Sequence, residues 1–129
     1  EKFIPRSIIR LLNNENIRIY TPGNQIRDWL YVEDHCRAIE LILQKGKIGE
    51  TYGVGGMTTE ISNLDVAKLI LKLMNLPENR IELVTDRPGH DVKYAVDWSK
   101  INKELSWEPQ FEFEQWLKQT IDWYKNAIR

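Results

Sequence analysis

The run Ile81-Glu82-Leu83-Val84-Thr85-Asp86-Arg87-Pro88-Gly89-His90-Asp91 decides how this chain is read. Its first four residues form a short apolar run with the alternation of an edge or half-buried strand. Pro88-Gly89 then turns the chain sharply, because proline fixes one φ and glycine admits a positive one. Arg87 and His90 sit on that turn, flanked by Asp86 and Asp91. An arginine fork with a histidine donor beside it suits phosphate oxygens. The same residues also suit a charged surface turn, and the run alone leaves both readings open.

Working outward, the segments on either side alternate between helical and extended patterns. Phe3, Ile4, Ile8, Leu11 and Leu12 recur at helical spacing, with Pro5 in the first turn, and Asn13-Asn14 end that helix. Ile17 to Tyr20 reads as a short strand, Thr21-Pro22-Gly23-Asn24-Gln25 as a turn, and Ile26 to Val32 as a second extended segment. Glu33 and Asp34 open a helix at its positive dipole end; Ala38, Leu41 and Ile42 form its apolar face and Gly46 closes it. Thr51 to Val54 reads as a strand, and Ser62 with Asp65 as a capping box for a helix from Asn63 to Met74. The expected inward face of that helix includes Leu64, Ala67, Leu71 and Met74. Tyr94 to Val96 is a brief strand, Asp97 caps a helix ending near Leu105, and Trp107-Glu108-Pro109 breaks it. Phe113, Trp116, Leu117, Thr120, Ile121 and Tyr124 mark one stripe of the last helix. The pattern predicts a mixed α/β fold of helices and short strands.

The chain has 129 residues, enough for one compact domain. Lys and Arg total 18 against 19 for Asp and Glu, so the basic excess of a nucleic-acid or membrane-surface binder is missing. The single cysteine, Cys36, admits no internal disulfide and fits a reducing, cytoplasmic setting; it reads as a small buried side chain. No run of 18 apolar residues spans a membrane. Glu1 leads straight into a helical pattern, as in a piece cut from something longer.

Gly53-Val54-Gly55-Gly56 follows a strand-like segment, but Met57 to Ile61 intervene before the next helix cap at Ser62. A dinucleotide cradle needs the helix to start at the glycines. The glycines are therefore expected to permit a turn or a close backbone approach. His35 and His90 are the only histidines and show no metal-ligand spacing; His35 is expected to be structural. Arg27, in a half-apolar segment, needs a partner, either a carboxylate such as Asp28 or a ligand phosphate. Tyr20 suits stacking on a base and a place in the core equally well.

Several words stand in a recognisable order: Glu1-Lys2-Phe3-Ile4-Pro5, Tyr20 to Gly23, Arg27-Asp28-Trp29-Leu30-Tyr31-Val32-Glu33-Asp34-His35 and Gly49-Glu50-Thr51-Tyr52. Gly55-Gly56, Asn63-Leu64-Asp65-Val66 and Thr85 to Asp91 follow, with Tyr94-Ala95 and Asp97 behind. Over essentially the whole chain they resemble the C-terminal part of the dTDP-glucose 4,6-dehydratase family, NAD-dependent lyases among the extended short-chain dehydrogenases/reductases. The Arg27–His35 and Asp86–Asp91 words separate that family from sugar-nucleotide epimerases and decarboxylases.

The resemblance implies an α/β fold, the C-terminal part of an extended short-chain dehydrogenase (Rossmann-type) architecture. Residues 1–129 would be the sugar-nucleotide-binding portion, with the NAD-binding Rossmann part outside this chain. Lys2 and Phe3 would line the nucleotide end, and Tyr20 would lie against the thymine with Arg18 nearby. Arg18 stands where the family usually has proline. Arg27 and Asn63 would contact the diphosphate or ribose, and Asp86, Arg87, Pro88, Gly89 and His90 would close over them, Arg87 as the main phosphate donor. In the family the NAD loop, the tyrosine–lysine pair and the acid–base groups belong to the N-terminal part. No tyrosine here has a lysine four residues on, so this chain alone is expected to lack catalysis. The family oxidises C4 of the sugar with NAD, eliminates water across C5–C6 and returns the hydride to C6.

The implied partner is dTDP-glucose or a related nucleotide sugar, in a cytoplasmic homodimer without nucleic acid or membrane. Segments such as Asp28–Val32, the following helix and Glu50–Val54 would return to the larger sheet, so the detached chain is expected to be poorly stable or to associate. Alternatives are an extended short-chain dehydrogenase acting on a UDP- or CDP-sugar, a stand-alone nucleotide-sugar binding module, and a structural interaction domain.

Overall fold

The computed structural model describes residues 2–56 and 58–128. Glu1, Met57 and Arg129 lie outside the described residues, and with them the first letter of the opening word and the start of the loop before Ser62.

Among the described residues, five helices, a short 3-10 turn and two strands follow one another: α1 (Phe3–Leu12), β1 (Ile17–Tyr20), α2 (Val32–Lys45), α3 (Asn63–Leu73), the turn Glu78–Arg80, β2 (Ile81–Val84), α4 (Ser99–Leu105) and α5 (Phe113–Ala127). β1 and β2 pair in parallel, Ile17 opposite Ile81 through Tyr20 opposite Val84. Parallel neighbours need a long crossover, and α2 and α3 lie within it. β1 alternates as a half-buried strand, Ile17 and Ile19 inward, Arg18 and Tyr20 outward. That alternation carries Tyr20 to the open side of the sheet, at the end where β2 runs into Thr85 and Asp86.

The main core joins α1, β1, α3 and α5. Ile4, Ile8 and Leu11 of α1 meet Ile17 and Ile19, then Val66, Ala67, Ile70 and Leu71 of α3 and Trp116, Leu117 and Ile121 of α5. Burying an aliphatic or aromatic side chain of this size contributes about 1.5–3 kcal/mol each, which fixes these elements on one another. In α3 the fully buried face is Val66, Ala67, Ile70 and Leu71; Leu64 and Met74, expected inward, are only half-buried. Ser62 caps this helix as expected, its Oγ accepting the Asp65 N–H at 3.1 Å and donating to Asp65 Oδ2 at 2.7 Å. A smaller cluster of Ala38, Ile101 and Trp107 joins α2 to α4, with Leu41, Ile42, Tyr52 and Val54 against it.

Three segments read as strands form no ladder. Residues 26–31, 51–54 and 94–96 belong to no sheet, Val32 already starts α2, and only Ile26 makes bridges, to Ser62 and Lys93. Asp28 links the chain here instead: its Oδ1 accepts the Gly56 N–H at 2.7 Å and its Oδ2 the Val96 N–H at 2.8 Å. The approach is close enough to need glycine. A Cβ on Gly56 would collide with the Trp29 carbonyl and come within 2.8 Å of the Leu30 Cα. This is the close backbone approach expected of the glycine run.

Three further expectations are corrected. Cys36 is exposed, not buried, because it falls on the outer face of α2 with Val32, Ile39 and Leu43. His35 is exposed on the same helix and takes no structural part in the core. Asp97 sits one residue before the cap position of α4, yet its carboxylate still accepts the Ser99 N–H at 2.8 Å. The helices of the described residues include none long and apolar enough to cross a membrane.

Candidate functional site

The turn after β1 positions the site. Gly23 has φ 85, and a Cβ there would stand 3.0 Å from the Ile19 side chain and 3.1 Å from that of Leu64, so glycine is required. The Gly23 and Gln25 carbonyls accept the Leu64 and Asn63 N–H groups, locking the turn onto the start of α3. From there the chain emerges at Arg27, beneath the loop that follows β2.

Arg27 is the hub. Its Nη1 donates to the Ile26 carbonyl at 2.7 Å, and its Nη2 meets both the Asp91 carbonyl and His90 Nε2 at 2.7 Å. The guanidinium carbon lies 4.6 Å from the centroid of the Tyr94 ring, a cation–π arrangement. Asp28 does not pair with Arg27 in this arrangement; its carboxylate ties backbone segments, as described above. A guanidinium carries five N–H donors, so about two remain for an outside acceptor.

His90 connects Arg27 to the loop. Its Nδ1 lies 2.8 Å from Asp86 Oδ1, and its ring stands edge-on to Tyr20 with centroids 5.3 Å apart. An arginine only donates, so His90 Nε2 accepts and the ring proton sits on Nδ1, facing Asp86. Asp86 also accepts from Gln25 Nε2 at 3.1 Å and from the Arg87 N–H at 2.8 Å. Partial desolvation acts to raise the Asp86 pKa, but the His90, Arg87 and Gln25 hydrogen bonds outweigh it and hold the carboxyl below its ordinary 3.8. The sign follows: a depressed carboxyl stabilises the fold fully above about pH 3.9. That contribution is lost as the pH falls further, through the folded-state titration of Asp86. Acid unfolding of Asp86→Asn should therefore lose this component, which a pH series of denaturant melts would read.

The other residues of the predicted site divide. Arg87, Pro88 and Gly89 form the exposed turn, with Gly89 at φ 71. The Arg87 guanidinium has no hydrogen-bond or ion-pair partner among the described residues. Asn63 is buried at the first position of α3, and its Oδ1 lacks a partner there. Arg18 pairs across the strands with Glu82 at 3.5 Å. Lys2 is exposed at the N-cap of α1, and Phe3 turns inward, 6.1 Å from the Trp29 ring. No hydrogen bond, ion pair or ring contact joins Arg18, Lys2 or Phe3 to the Arg27–His90 cluster among the described residues. Gln25 and Tyr94 are the members that sequence reasoning missed. Gln25 lies in a run that reads as a solvent-facing turn, and nothing local marks it as buried.

No three His, Cys, Asp or Glu side chains gather as metal ligands would among the described residues. The glycine run does not fit a dinucleotide either. Gly53 and Gly55 pack under the Asp97 and Val96 carbonyls, seven or more positions before α3 begins. The first N–H groups of α3 are already bonded to Gln25, Gly23 and Ser62.

Comparison with known proteins identifies the family. A profile of the GDP-mannose 4,6 dehydratase family matches residues 1–120. The chain belongs to that family. Within it, a dTDP-glucose 4,6-dehydratase of Xanthomonas campestris is 47% identical over 133 residues, covering 96% of this chain and 38% of the relative. A crystal structure of the Streptomyces venezuelae dTDP-glucose 4,6-dehydratase with NAD and TYD bound superposes with a TM-score of 0.91 at 35% identity, over 97% of this chain and 38% of that one. The UDP-glucose 4-epimerase of Thermotoga maritima, solved with UDP-glucose, superposes at 0.90 with 25% identity, over 99% and 40%. The chain thus spans well under half the length of these family members. The expected α/β fold of the extended short-chain dehydrogenase type is borne out, as is the resemblance to dTDP-glucose 4,6-dehydratases.

Proposed function

We propose that this chain forms the nucleotide-diphosphate end of the substrate site in a dTDP-glucose 4,6-dehydratase. Such an enzyme converts dTDP-glucose to dTDP-4-keto-6-deoxyglucose with loss of water. The observation that carries the reading is an Arg27 guanidinium braced under the 85–91 loop, with Arg87 exposed on that same loop. Two guanidinium groups can neutralise a diphosphate, and charge-assisted hydrogen bonds contribute about 1.5–3 kcal/mol each. Asn63 offers its amide to the diphosphate or ribose at the neighbouring start of α3, and Tyr20 offers a half-free ring to the base. Arg18, Lys2 and Phe3 line the outer part of the nucleotide end in this reading.

NAD supplies the hydride chemistry of such an enzyme. In this reading its binding, like the catalytic groups, belongs to another part of the protein. The exposed stripe of Val32, Cys36, Ile39 and Leu43 on α2 fits packing against that part. The separated 129-residue chain should then associate or melt broadly; a sharp, reversible two-state melt of a monomer would contradict this. A cytoplasmic homodimer completes the reading.

The likeness to the UDP-glucose 4-epimerase favours a second reading, in which the sugar is carried on UDP. Titration of the natural full-length protein with dTDP and with UDP decides between them. The dehydratase reading expects dTDP to bind more tightly, and Arg87→Ala to weaken it about tenfold, or 1.4 kcal/mol. A clear UDP preference sinks the dTDP assignment. No effect of Arg87→Ala favours a structural role for the loop.

A further inference from the structure

Gln25 sits in the turn between β1 and Arg27 with only 3% of its surface exposed. Its Nε2 donates to Asp86 Oδ2 at 3.1 Å. A carboxylate only accepts, so the amide is oriented with nitrogen toward Asp86, and Oε1 is left buried without a partner among the described residues. A buried unsatisfied oxygen destabilises, and an apolar side chain of the same length would avoid it. What the position gains from glutamine is therefore the single donor aimed at Asp86.

That donor begins a chain of contacts. With Oδ2 held by Gln25, Asp86 presents Oδ1 to His90 Nδ1 at 2.8 Å. A fixed acceptor at Nδ1 fixes the tautomer, leaving Nε2 with a bare lone pair. Arg27 Nη2 stands 2.7 Å from that lone pair. The other groups around His90 are the Tyr20 ring at the end of β1 and the Arg87 N–H on Asp86. Neither supplies an alternative acceptor for Nδ1. Were the proton on Nε2, two donors would face each other and Arg27 would be displaced.

We propose that Gln25 is a positioning residue, acting through Asp86 and His90 to aim the Arg27 guanidinium at a nucleoside diphosphate. This rests on the reading of Arg27 as a diphosphate ligand. The low pKa of Asp86 agrees with it, since the carboxylate must stay ionised to hold Nδ1–H.

The test uses the natural full-length protein and two readouts. Nitrogen-15 NMR of the His90 ring reports the tautomer without any ligand, and titration with dTDP reports the grip. In the wild type, Nδ1 should carry the proton and Nε2 should be bare. Gln25→Met removes the donor at nearly constant length; Gln25→Leu serves if the methionine variant does not fold. Either should give mixed tautomers and weaken dTDP about fivefold, the worth of roughly one net hydrogen bond. In a His90→Ala background the same change should have no further effect, because the relay is already cut. A wild-type His90 protonated on Nε2 overturns the proposal. So does a single unchanged tautomer in the variant, or an effect that adds fully to His90→Ala. If the wild type binds no dTDP, the diphosphate reading fails by itself, and the histidine spectrum still decides whether Gln25 controls the relay.

Discussion

Replacing Asp34 by alanine should remove about 3–5 kcal/mol of folding stability, the typical cost of breaking a buried, hydrogen-bonded charge pair. Asp34 is 1% exposed in the first turn of α2. Its Oδ1 accepts from Arg37 Nη2 at 2.7 Å and from the Gln110 N–H at 3.0 Å, and its Oδ2 faces the Phe111 N–H at 3.4 Å. The backbone carbonyl of the same residue accepts from Trp107 Nε1 at 3.0 Å. One residue thus pins the whole stretch from Trp107 to Phe111 onto α2 and seats a fully buried tryptophan in the smaller core. Alanine would leave three donors facing a void, one of them charged. Domains of ordinary stability hold only about 5–15 kcal/mol, so the loss is a large share of the total. Asp34→Asn keeps the shape and one acceptor and should lose less. Urea unfolding followed by tryptophan fluorescence reads both variants. A change below about 1 kcal/mol for alanine would mean the 107–111 segment is held by its aromatic packing alone.

The second large effect concerns binding. Arg27→Ala should weaken dTDP about a hundredfold: two charge-assisted hydrogen bonds at about 1.5 kcal/mol each amount to roughly 3 kcal/mol. The loss has two origins. The donors that face the ligand disappear, and the loop loses the guanidinium that joins His90 Nε2, the Asp91 carbonyl and the Tyr94 ring. Arg27→Lys should not restore binding, since an ammonium cannot span His90 and Asp91 and still offer a planar pair of donors outward. Isothermal titration of the full-length variants measures this, with a thermal melt of each to confirm that the fold persists. Retention of wild-type affinity in Arg27→Ala would remove Arg27 from the site.

Local pattern went far in this chain, for a physical reason. The helices announce themselves because each buries one stripe: Ile4, Ile8 and Leu11 in α1, and Trp116, Leu117 and Ile121 in α5. The Ser62 cap, the strand at Ile81–Val84 and the loop carrying Asp86 and His90 are equally local, since each depends on neighbours within a few positions. What local pattern missed rests on partners far along the chain. Asp28 looks like a counter-ion for Arg27, yet its carboxylate serves backbone groups 28 and 68 positions away. Asp34 looks like a helix-dipole residue, and besides Arg37 its carboxylate serves backbone groups at 110 and 111. Gln25 looks like part of an exposed turn because nothing nearby shows that Asp86 closes over it. Strand-like segments at 51–54 and 94–96 have strand composition but pair with no strand among the described residues. The sequence grouped Tyr20, Arg27, Asp86 and His90, which the structure brings together; the way they brace one another was not legible.

The central claim is that Arg27 and Arg87 grip a nucleotide diphosphate. A crystal structure of the natural full-length protein with dTDP tests it most directly. The account requires phosphate oxygens within hydrogen-bonding distance of both guanidinium groups, about 2.7–3.2 Å, with His90 still seated on Asp86. A diphosphate bound elsewhere, with Arg27 still turned only to His90 and Asp91, would contradict it.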